Sequence, residues 1–276
     1  MILVTGANGN LGSATLAALR ARGAAATGGS RTPGEGMRRL DFDDHTSLDL
    51  TGVSTLVLVS AGYAEDDQVV GRHAAVLDAA VRDGVGHVVY TSLTTAGDHL
   101  GFASAHRATE RLVRESGLSW TLLRNGLYAE LFGGLLMWAD DGVESAFGDG
   151  AVAAVAREDL AEAAAAVAAN PARHGGRVHD LVGTPITAGQ VADRLGVPHH
   201  TVGLGEYRRR LLDETPGLLP FQPPMFASIA TGIRHGFLDG TAPDLTDLLG
   251  RPARDPLAAA VAAAAATRPE TSLRAP

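Results

Sequence analysis

The chain has 276 residues, of which 45% are hydrophobic and 20% are charged, a composition typical of a folded protein with a buried core rather than of a disordered chain. Its 23 basic and 31 acidic residues give a formal net charge of −8, which argues against sequence-independent binding to a nucleic-acid backbone. The sequence has no cysteine, which excludes disulfides, thiolate metal sites and cysteine nucleophiles. It also has no lysine, so all 23 of its Lys and Arg residues are arginines.

No apolar run approaches the ~18–20 residues that a membrane-spanning helix needs. The first strand-like run starts at Ile2, which leaves no room for a signal peptide. The alanine-rich stretch from Ala258 to Ala266 is short and is followed by charged residues, which indicates a terminal helix or a loose tail. We therefore expect a cytoplasmic protein that binds neither membranes nor nucleic acid.

Short apolar runs alternate with helical patterns through the first half of the chain, which is typical of βαβ units and a parallel sheet. The predicted strands are Ile2–Thr5, Ala25–Gly28, Thr55–Val59, His87–Thr91, Thr121–Arg124 and Val178–Val182. The predicted helices are Leu11–Arg22, Gln68–Asp83, Ser104–Ser116 and Asp159–Ala169. This alternation predicts an α/β fold with a doubly wound parallel sheet.

Three glycines lie between the first strand and the first helix, with the spacing G-x-x-G-x-x-G. Gly6 permits a tight turn, Gly9 lets the backbone approach a pyrophosphate, and Gly12 permits close packing of helix and strand. The first amides of the helix then hold the phosphates. The alternative is a glycine-rich turn without a ligand. The residues predicted to contact a dinucleotide here are Gly6, Asn8, Gly9, Asn10, Leu11 and Gly12.

The end of the second strand distinguishes between nicotinamide cofactors. A carboxylate at this place binds the ribose diol of NADH, whereas this chain has Arg31 and no acid. Because an arginine pairs bidentately with a phosphate, we expect NADP(H) to be preferred over NAD(H). The alternative is a solvated surface arginine. Further cofactor contacts are expected from residues at strand ends, namely Asp41, Phe42, Ser60, Ala61, Gly62 and Thr91. The alternative for these residues is turn chemistry or packing.

Several motifs, taken together and in order, resemble the NmrA-like atypical short-chain dehydrogenases, and among them the type-2 NAD(P)H:quinone oxidoreductases. These motifs are Thr5–Gly12, Tyr90–Leu93, Thr121–Gly126 with Tyr128, Arg157–Ala161 and Leu248–Pro252. The resemblance covers nearly the whole chain. It implies a Rossmann-like domain with a small cap, NADPH binding, and reduction of quinones or related electron-poor acceptors. The same family also contains redox sensors that bind the dinucleotide without turnover.

The expected domain organisation follows from a change in composition after residue 183, where glycine and proline interrupt the pattern. We expect an NAD(P)-binding Rossmann-like domain of residues 1–130 plus 151–183. A smaller cap of residues 131–150 plus 184–250 and a C-terminal helix and tail of residues 251–276 complete the chain. Large apolar residues of the cap form either a pocket for an aromatic ring or an ordinary core: Leu135, Leu136, Met137, Trp138, Phe221, Met225 and Phe226.

The chain departs from ordinary short-chain dehydrogenases at their catalytic Tyr-x-x-x-Lys pair. In the register set by Glu110, Phe102 and His106 take the two positions, and without any lysine no other register restores the pair. Reduction of a simple ketone develops an alkoxide, which demands a proton donor. Reduction of a quinone leaves a phenolate-like oxygen with a pKa of about 10, which survives until solvent protonates it. The substitution therefore favours quinones, imines and cationic dyes.

Four residues are the candidates for the catalytic site, each with local packing as the alternative. Asn125 and Tyr128 follow a strand end and are expected to line the acceptor pocket. Ser92 is expected to orient the substrate, and His106 to hydrogen-bond the nicotinamide ribose or the acceptor. Tyr90 is expected to pack in the core. We expect no metal site, since the adjacent pair His199-His200 lacks a carboxylate pattern.

These observations predict an NAD(P)H-dependent reductase of a quinone or similar electron-poor aromatic acceptor, acting without the Tyr-x-x-x-Lys dyad. The sequence is compatible with a homodimer. Two alternatives stay open: a non-catalytic NADP(H)-binding redox sensor, and a tailoring reductase for one polyaromatic or imine metabolite.

Overall fold

The computed structural model describes residues 1–61, 64–213, 215 and 217–269. The strands of its main sheet are β1 (Ile2–Val4), β2 (Ala26–Ser30), β3 (Arg38–Arg39), β4 (Thr55–Leu58), β5 (His87–Leu93), β6 (Ser119–Asn125) and β10 (Arg177–Leu181). Within the described residues these seven strands run parallel in the order β10-β6-β5-β4-β1-β2-β3. The order reverses between β1 and β4, and ligands of such sheets bind beside the carboxyl ends of the strands at this point.

Helices lie on both faces of the sheet and beside its carboxyl ends. They are α1 (Asn10–Ala21), α2 (Asp66–Arg82), α3 (Ala103–Glu115), α4 (Ala129–Gly134), α5 (Arg157–Ala169), α6 (Ala188–Leu195), α7 (Leu204–Asp213), α8 (Gln222–Arg234), α9 (Asp244–Leu249) and α10 (Pro256–Ala266). None of these described helices is long and apolar enough to cross a bilayer.

The two faces of the sheet have separate apolar cores because successive side chains of a strand point to opposite sides. On β6, Leu123 packs with α1 and α5, whereas Leu122 packs with α2 and α3. On β5, Val89 belongs to the first core, and Val88 and Tyr90 belong to the second. The face on which a strand residue lies therefore decides which helices it can meet.

The predicted doubly wound parallel sheet is confirmed. Each of the six predicted strands and four predicted helices is present, and each end lies within two residues of its predicted place. The short strand β3 was not among the predicted strands, because two residues carry no alternation. The alanine-rich segment forms α10, and the tail beyond residue 269 lies outside the described residues.

The remaining elements form a third apolar core beside the carboxyl ends of β5 and β6. Strand β9 (Ala151–Ala154) pairs antiparallel with β11 (Thr184–Thr187). Strands β7 (Met137–Trp138), β8 (Val143–Ser145) and β12 (His199–Thr201) form a second small sheet. The β9–β11 pair joins the two sides of the predicted boundary at residue 184, and the division into domain and cap stays a prediction.

A buried carboxylate attaches the C-terminal segment to α5. Asp159 is fully buried and accepts hydrogen bonds from Arg251 at 2.7 Å, from the Arg254 backbone amide at 2.6 Å and from the Arg254 guanidinium. Glu162, one turn along α5, pairs with the same two arginines. The segment that precedes α10 is thereby fixed to α5.

We expect Asp159→Ala to lower the free energy of unfolding by about 1–3 kcal/mol, because it leaves the Arg254 backbone amide without its acceptor while both arginines keep Glu162. Urea unfolding at neutral pH measures this loss. The matched control is Glu158→Ala: Glu158 contacts the same Arg254 at 3.0 Å but is 70% exposed, so its loss changes stability by less than about 0.5 kcal/mol. Equal effects of the two substitutions would contradict the anchoring role of Asp159.

Candidate active site

The loop between β1 and α1 has the backbone geometry of a phosphate cradle. Gly6 has φ +60°, in the left-handed region that favours glycine. A Cβ atom on Gly12 would lie 2.2 Å from the Gly6 carbonyl oxygen, so only glycine permits this approach of helix to loop. Gly9 precedes α1 and no side chain caps the helix. The first amides of α1 are thus left for a ligand, as in nucleotide-binding folds.

The side chain of Asn8 ties this loop to the end of β2. Its Nδ2 donates to the Thr32 carbonyl oxygen at 2.7 Å. Arg31, the preceding residue, is exposed and takes part in none of the ion pairs found among the described residues. The pKa of Asp43 is lowered mainly by a hydrogen bond from Arg72, and more weakly by the charge of Arg31. Arg31 thus carries an exposed guanidinium beside the glycine loop.

The other predicted cofactor residues of this edge have contacts within the protein. Asp41 accepts from the Asp43 amide at 3.1 Å, and Phe42 packs partly buried against the core under α2 and α3. Ser60 donates its backbone amide to the Thr91 hydroxyl at 3.0 Å. The role of these residues toward a cofactor stays a prediction. Gly62 lies outside the described residues, as does Tyr63.

A buried carboxylate on α3 organises the ends of β5 and β6. Glu110 is 1% exposed and accepts from Arg107 at 2.7 Å and from Arg124 at 2.7 and 2.9 Å. Burial alone would raise the pKa of Glu110, but the hydrogen bonds from Arg124 and Ser92 and the charge of Arg107 outweigh it and hold that pKa below its usual value. The carboxylate is therefore charged and fully compensated.

Ser92, predicted to orient a substrate, belongs to this group. Its hydroxyl donates to Glu110 at 2.7 Å. Arg107 also donates to the Leu93 carbonyl at 2.9 Å and the Thr94 carbonyl at 3.0 Å. Ser92 thus links β5 to α3, and a substrate contact by this hydroxyl stays a prediction. Sequence reasoning used Glu110 only to set the register, and its approach to Arg124 depends on the pairing of β5 with β6.

His106 lies one turn before Glu110 on the same face of α3. Its Nδ1 is 3.0 Å from the hydroxyl of Tyr90, and its ring meets Phe102 edge-on at 6.2 Å between centroids. Burial and the charge of Arg107 lower the pKa of His106 to about 4, so the ring is neutral at neutral pH. Tyr90 is fully buried, as predicted, but its hydroxyl makes a polar contact that the sequence did not indicate.

The other two catalytic candidates follow β6. Asn125 is 5% exposed, and its Oδ1 is buried without a hydrogen-bond partner. Tyr128 immediately precedes α4, and the Arg157 guanidinium lies over its ring at 5.0 Å from the centroid. Arg157 was not predicted as a site residue, because nothing in its local sequence shows that the start of α5 meets the start of α4.

The apolar residues predicted for an acceptor pocket lie in two places. Trp138 donates its ring N–H to the Ala264 carbonyl at 3.0 Å and therefore packs on α10. On α8, Phe226 packs partly buried against the cap core, and Met225 is partly buried. The Ser228 hydroxyl of α8 accepts from the Gly101 amide at 3.0 Å, which brings α8 over the loop that leads into α3. The α8 residues of this group therefore lie beside the loop that leads into α3.

The structure therefore ties His106 to β5 through Tyr90 and Ser92 to α3 through Glu110, while Asn125 ends β6 and Tyr128 follows it. Within the part of the chain that the structure describes, no group of three or more acidic or histidine side chains could hold a metal ion. The arrangement offers a phosphate cradle at the start of α1 and a neutral imidazole at His106.

Comparison with known proteins gives relatives along almost the whole chain. Quinone oxidoreductase 2 of Escherichia coli K12 is 32% identical over 278 residues, covering 91% of this chain and 94% of that protein. Its crystal structure with NADPH has a TM-score of 0.82 at 29% identity and covers 94% of this chain and 98% of that one.

Two further proteins are similar to this chain. The Citrobacter sp. triphenylmethane reductase complexed with NADP(H) has a TM-score of 0.84 at 28% identity and covers 96% of this chain and 100% of that one. An NmrA-like family domain-containing oxidoreductase of Aspergillus flavus is 34% identical over 155 residues, 49% of this chain and 50% of that protein. No protein-family model matches the chain.

A buried histidine beside the site makes stability depend on pH. His73 is fully buried between the Ala61 amide, which donates to its Nε2 at 2.9 Å, and the Thr109 hydroxyl, 2.8 Å from its Nδ1. Burial and the charges of His106 and Arg72 lower its pKa to about 3. The unfolded chain takes up a proton near the ordinary histidine pKa of about 6.5, and the native protein does not. Stability is therefore lost as the pH falls below that value.

We expect His73→Gln to flatten this acid dependence by up to about 1.4 kcal/mol per pH unit below pH 6.5, because the variant has no proton to take up at this position. Urea unfolding at about pH 7.5 and about pH 5 measures the change. His45→Gln, at an exposed histidine, is the matched control and should leave the slope unchanged. The same slope in wild type and His73→Gln would show that His73 contributes nothing to it.

Proposed function

This chain belongs to the NmrA-like atypical short-chain dehydrogenases, and we propose that within this family of oxidoreductases it is an NADPH-dependent reductase of quinones or similar electron-poor aromatic acceptors. The observation that carries the proposal is the pair Phe102 and His106 at the positions of the usual Tyr-x-x-x-Lys dyad, in a chain without lysine. His106 is neutral there, because its pKa lies at about 4.

The residues present fit the cofactor. Gly6 and Gly12 shape a loop that a Cβ would close, and the uncapped start of α1 offers amides to a pyrophosphate. Arg31 supplies an exposed guanidinium for a 2′-phosphate. No acidic residue stands at the end of β2, where a carboxylate would favour NADH. The buried, unpaired Oδ1 of Asn125 at the end of β6 supports a ligand that completes its hydrogen bonding. When bound, NADPH supplies the hydride, and the protein supplies position and hydrogen bonds.

The class of acceptor follows from what the side chains can do with a proton. A neutral imidazole and a buried phenol are weak acids, so neither releases a proton as the acceptor is reduced. A simple ketone needs that proton, because its reduced oxygen is a strongly basic alkoxide. A quinone does not, since its reduced oxygen resembles a phenolate with a pKa of about 10. The site therefore suits acceptors whose reduced form is stable as an anion or is neutral.

The side chains around the acceptor have distinct roles in this proposal. His106 donates a hydrogen bond to the acceptor oxygen, and Asn125 and Tyr128 position the ring at the end of β6. Glu110 holds Ser92 and Arg124 and thereby fixes the ends of the strands that carry the site. The apolar side chains of α8 close the pocket over the loop that leads to α3.

We expect Arg31→Ala to weaken NADPH binding by about 10- to 100-fold and NADH binding by less than about twofold, because only NADPH carries the phosphate that the guanidinium would contact. Fluorescence titration of the full chain with each cofactor measures both constants. Arg194→Ala, at an exposed arginine of α6, controls for the change in net charge. Equal losses for the two cofactors would contradict the assignment of Arg31.

Turnover of NADPH with a panel of quinones, imines and cationic dyes tests the function directly. We expect saturable oxidation of NADPH with a quinone, and a fall in kcat/KM of about tenfold in Asn125→Ala, because the variant loses one hydrogen bond that positions the bound ligand. Asn170→Ala, at an exposed asparagine after α5, is the matched control and should retain wild-type rates. Tight binding of NADPH without turnover of any acceptor would instead favour a redox sensor.

A further inference from the structure

Three aromatic groups, two of them buried, form a connected cluster between α2, β5 and α3. The His73 and Tyr90 rings meet edge to face at 5.5 Å between centroids, and the Tyr90 hydroxyl is 3.0 Å from His106 Nδ1. His73 and Tyr90 are both fully buried, and His106 is partly exposed. The cluster therefore leads from the protein interior to the one ring that can reach a ligand.

The backbone amide of Ala61 sets the direction of hydrogen bonding at one end of the cluster. An amide N–H can only donate, so the His73 Nε2 that it contacts at 2.9 Å must accept. A neutral His73 then carries its proton on Nδ1 and donates it to the Thr109 oxygen, 2.8 Å away. The Thr109 hydroxyl consequently keeps its own proton for another acceptor.

The Tyr90 oxygen can accept it, since a phenol oxygen is both donor and acceptor. Burial raises the pKa of Tyr90, while the Ser60 hydroxyl and then the Thr109 hydroxyl act in the opposite direction, as donors to the phenol oxygen do. The phenol proton is then directed to its ring-nitrogen neighbour, His106 Nδ1, at 3.0 Å. A neutral imidazole that accepts at Nδ1 carries its proton on Nε2. Among the described residues no side chain or backbone group bonds His106 Nε2, so this N–H is available to a ligand.

We infer that Tyr90 is a positioning residue that holds His106 as the Nε2–H tautomer, so that a neutral N–H donor faces the carbonyl oxygen of the acceptor. The hydrogen-bond geometry behind this inference is independent of the proposed reductase function, whereas its consequence for the acceptor rests on that function. It gives the buried Tyr90 hydroxyl a role beside an apolar core. His106 then forms a hydrogen bond to the acceptor without transferring its proton. This agrees with an acceptor that needs no proton during hydride transfer.

The tautomer of His106 is measured by nitrogen NMR of the full chain with ¹⁵N-labelled histidine, with and without NADP⁺, and the signal is assigned by its loss in His106→Gln. We expect the Nε2–H tautomer in the wild type and a mixture of tautomers in Tyr90→Phe. The matched control is Tyr207→Phe: Tyr207 is equally buried, in the third apolar core, and among the described residues its hydroxyl has no hydrogen-bond partner, so removing it leaves His106 unchanged.

Steady-state kinetics provide a second measurement, which a purely structural role of Tyr90 would not affect. With a quinone, Tyr90→Phe should lower kcat by about five- to tenfold, the effect of one hydrogen bond, with little change in KM for NADPH. Gln offers a donor close to the Nε2 position without a tautomer to fix, so in a His106→Gln background the added Tyr90→Phe should change kcat by less than about twofold.

A wild-type His106 in the Nδ1–H form, or one whose tautomer is the same in Tyr90→Phe, would overturn the inference. Failure of the proposed function looks different: no acceptor is turned over by the wild type, while the NMR signal still reports the tautomer. If Tyr90→Phe and Tyr207→Phe lose stability and kcat to the same extent, Tyr90 contributes only packing and the inference is wrong.

Discussion

The candidate site depends on one buried charge, the carboxylate of Glu110. It lies in the interior with Arg107 and Arg124 and accepts the hydroxyl of Ser92. These bonds attach α3 to the ends of β5 and β6. A buried carboxylate without partners costs several kcal/mol, so the three elements can pack together only with both arginines in place. The position of His106, one helical turn away, follows from this attachment.

The chemistry that the site permits follows from the same arrangement. Arg107 adjoins His106 in the chain and adds to burial in lowering its pKa, whereas Glu110 acts weakly in the opposite direction. The ring is therefore held neutral, and we propose that it takes the place of the lysine cation of ordinary short-chain dehydrogenases. In this proposal His106, Asn125 and Tyr128 surround the acceptor. Such a set suits an acceptor already activated by its own conjugation.

Much of the fold could be predicted from the sequence because the strands are apolar and the helices periodic. The glycine loop was identifiable as well, since three glycines between a strand and a helix admit few other geometries. Contacts between elements that are distant in sequence were not accessible: Tyr90 meets His106 only because α3 lies across β5, and Arg157 meets Tyr128 only because α5 begins beside α4. The two-residue β3 and the pairing of β9 with β11 carry no pattern that a sequence reading could find.

The central claim is that this protein reduces its acceptor without a protein side chain that supplies a proton, and the pH dependence of kcat with a quinone tests it most directly. With NADPH and quinone saturating, the account predicts a constant kcat from about pH 5.5 to about pH 8.5, because the pKa of His106, about 4, lies below this range. A kcat that falls about tenfold per pH unit above about pH 6.5 would contradict the account, since it would identify a histidine that reacts in its protonated form.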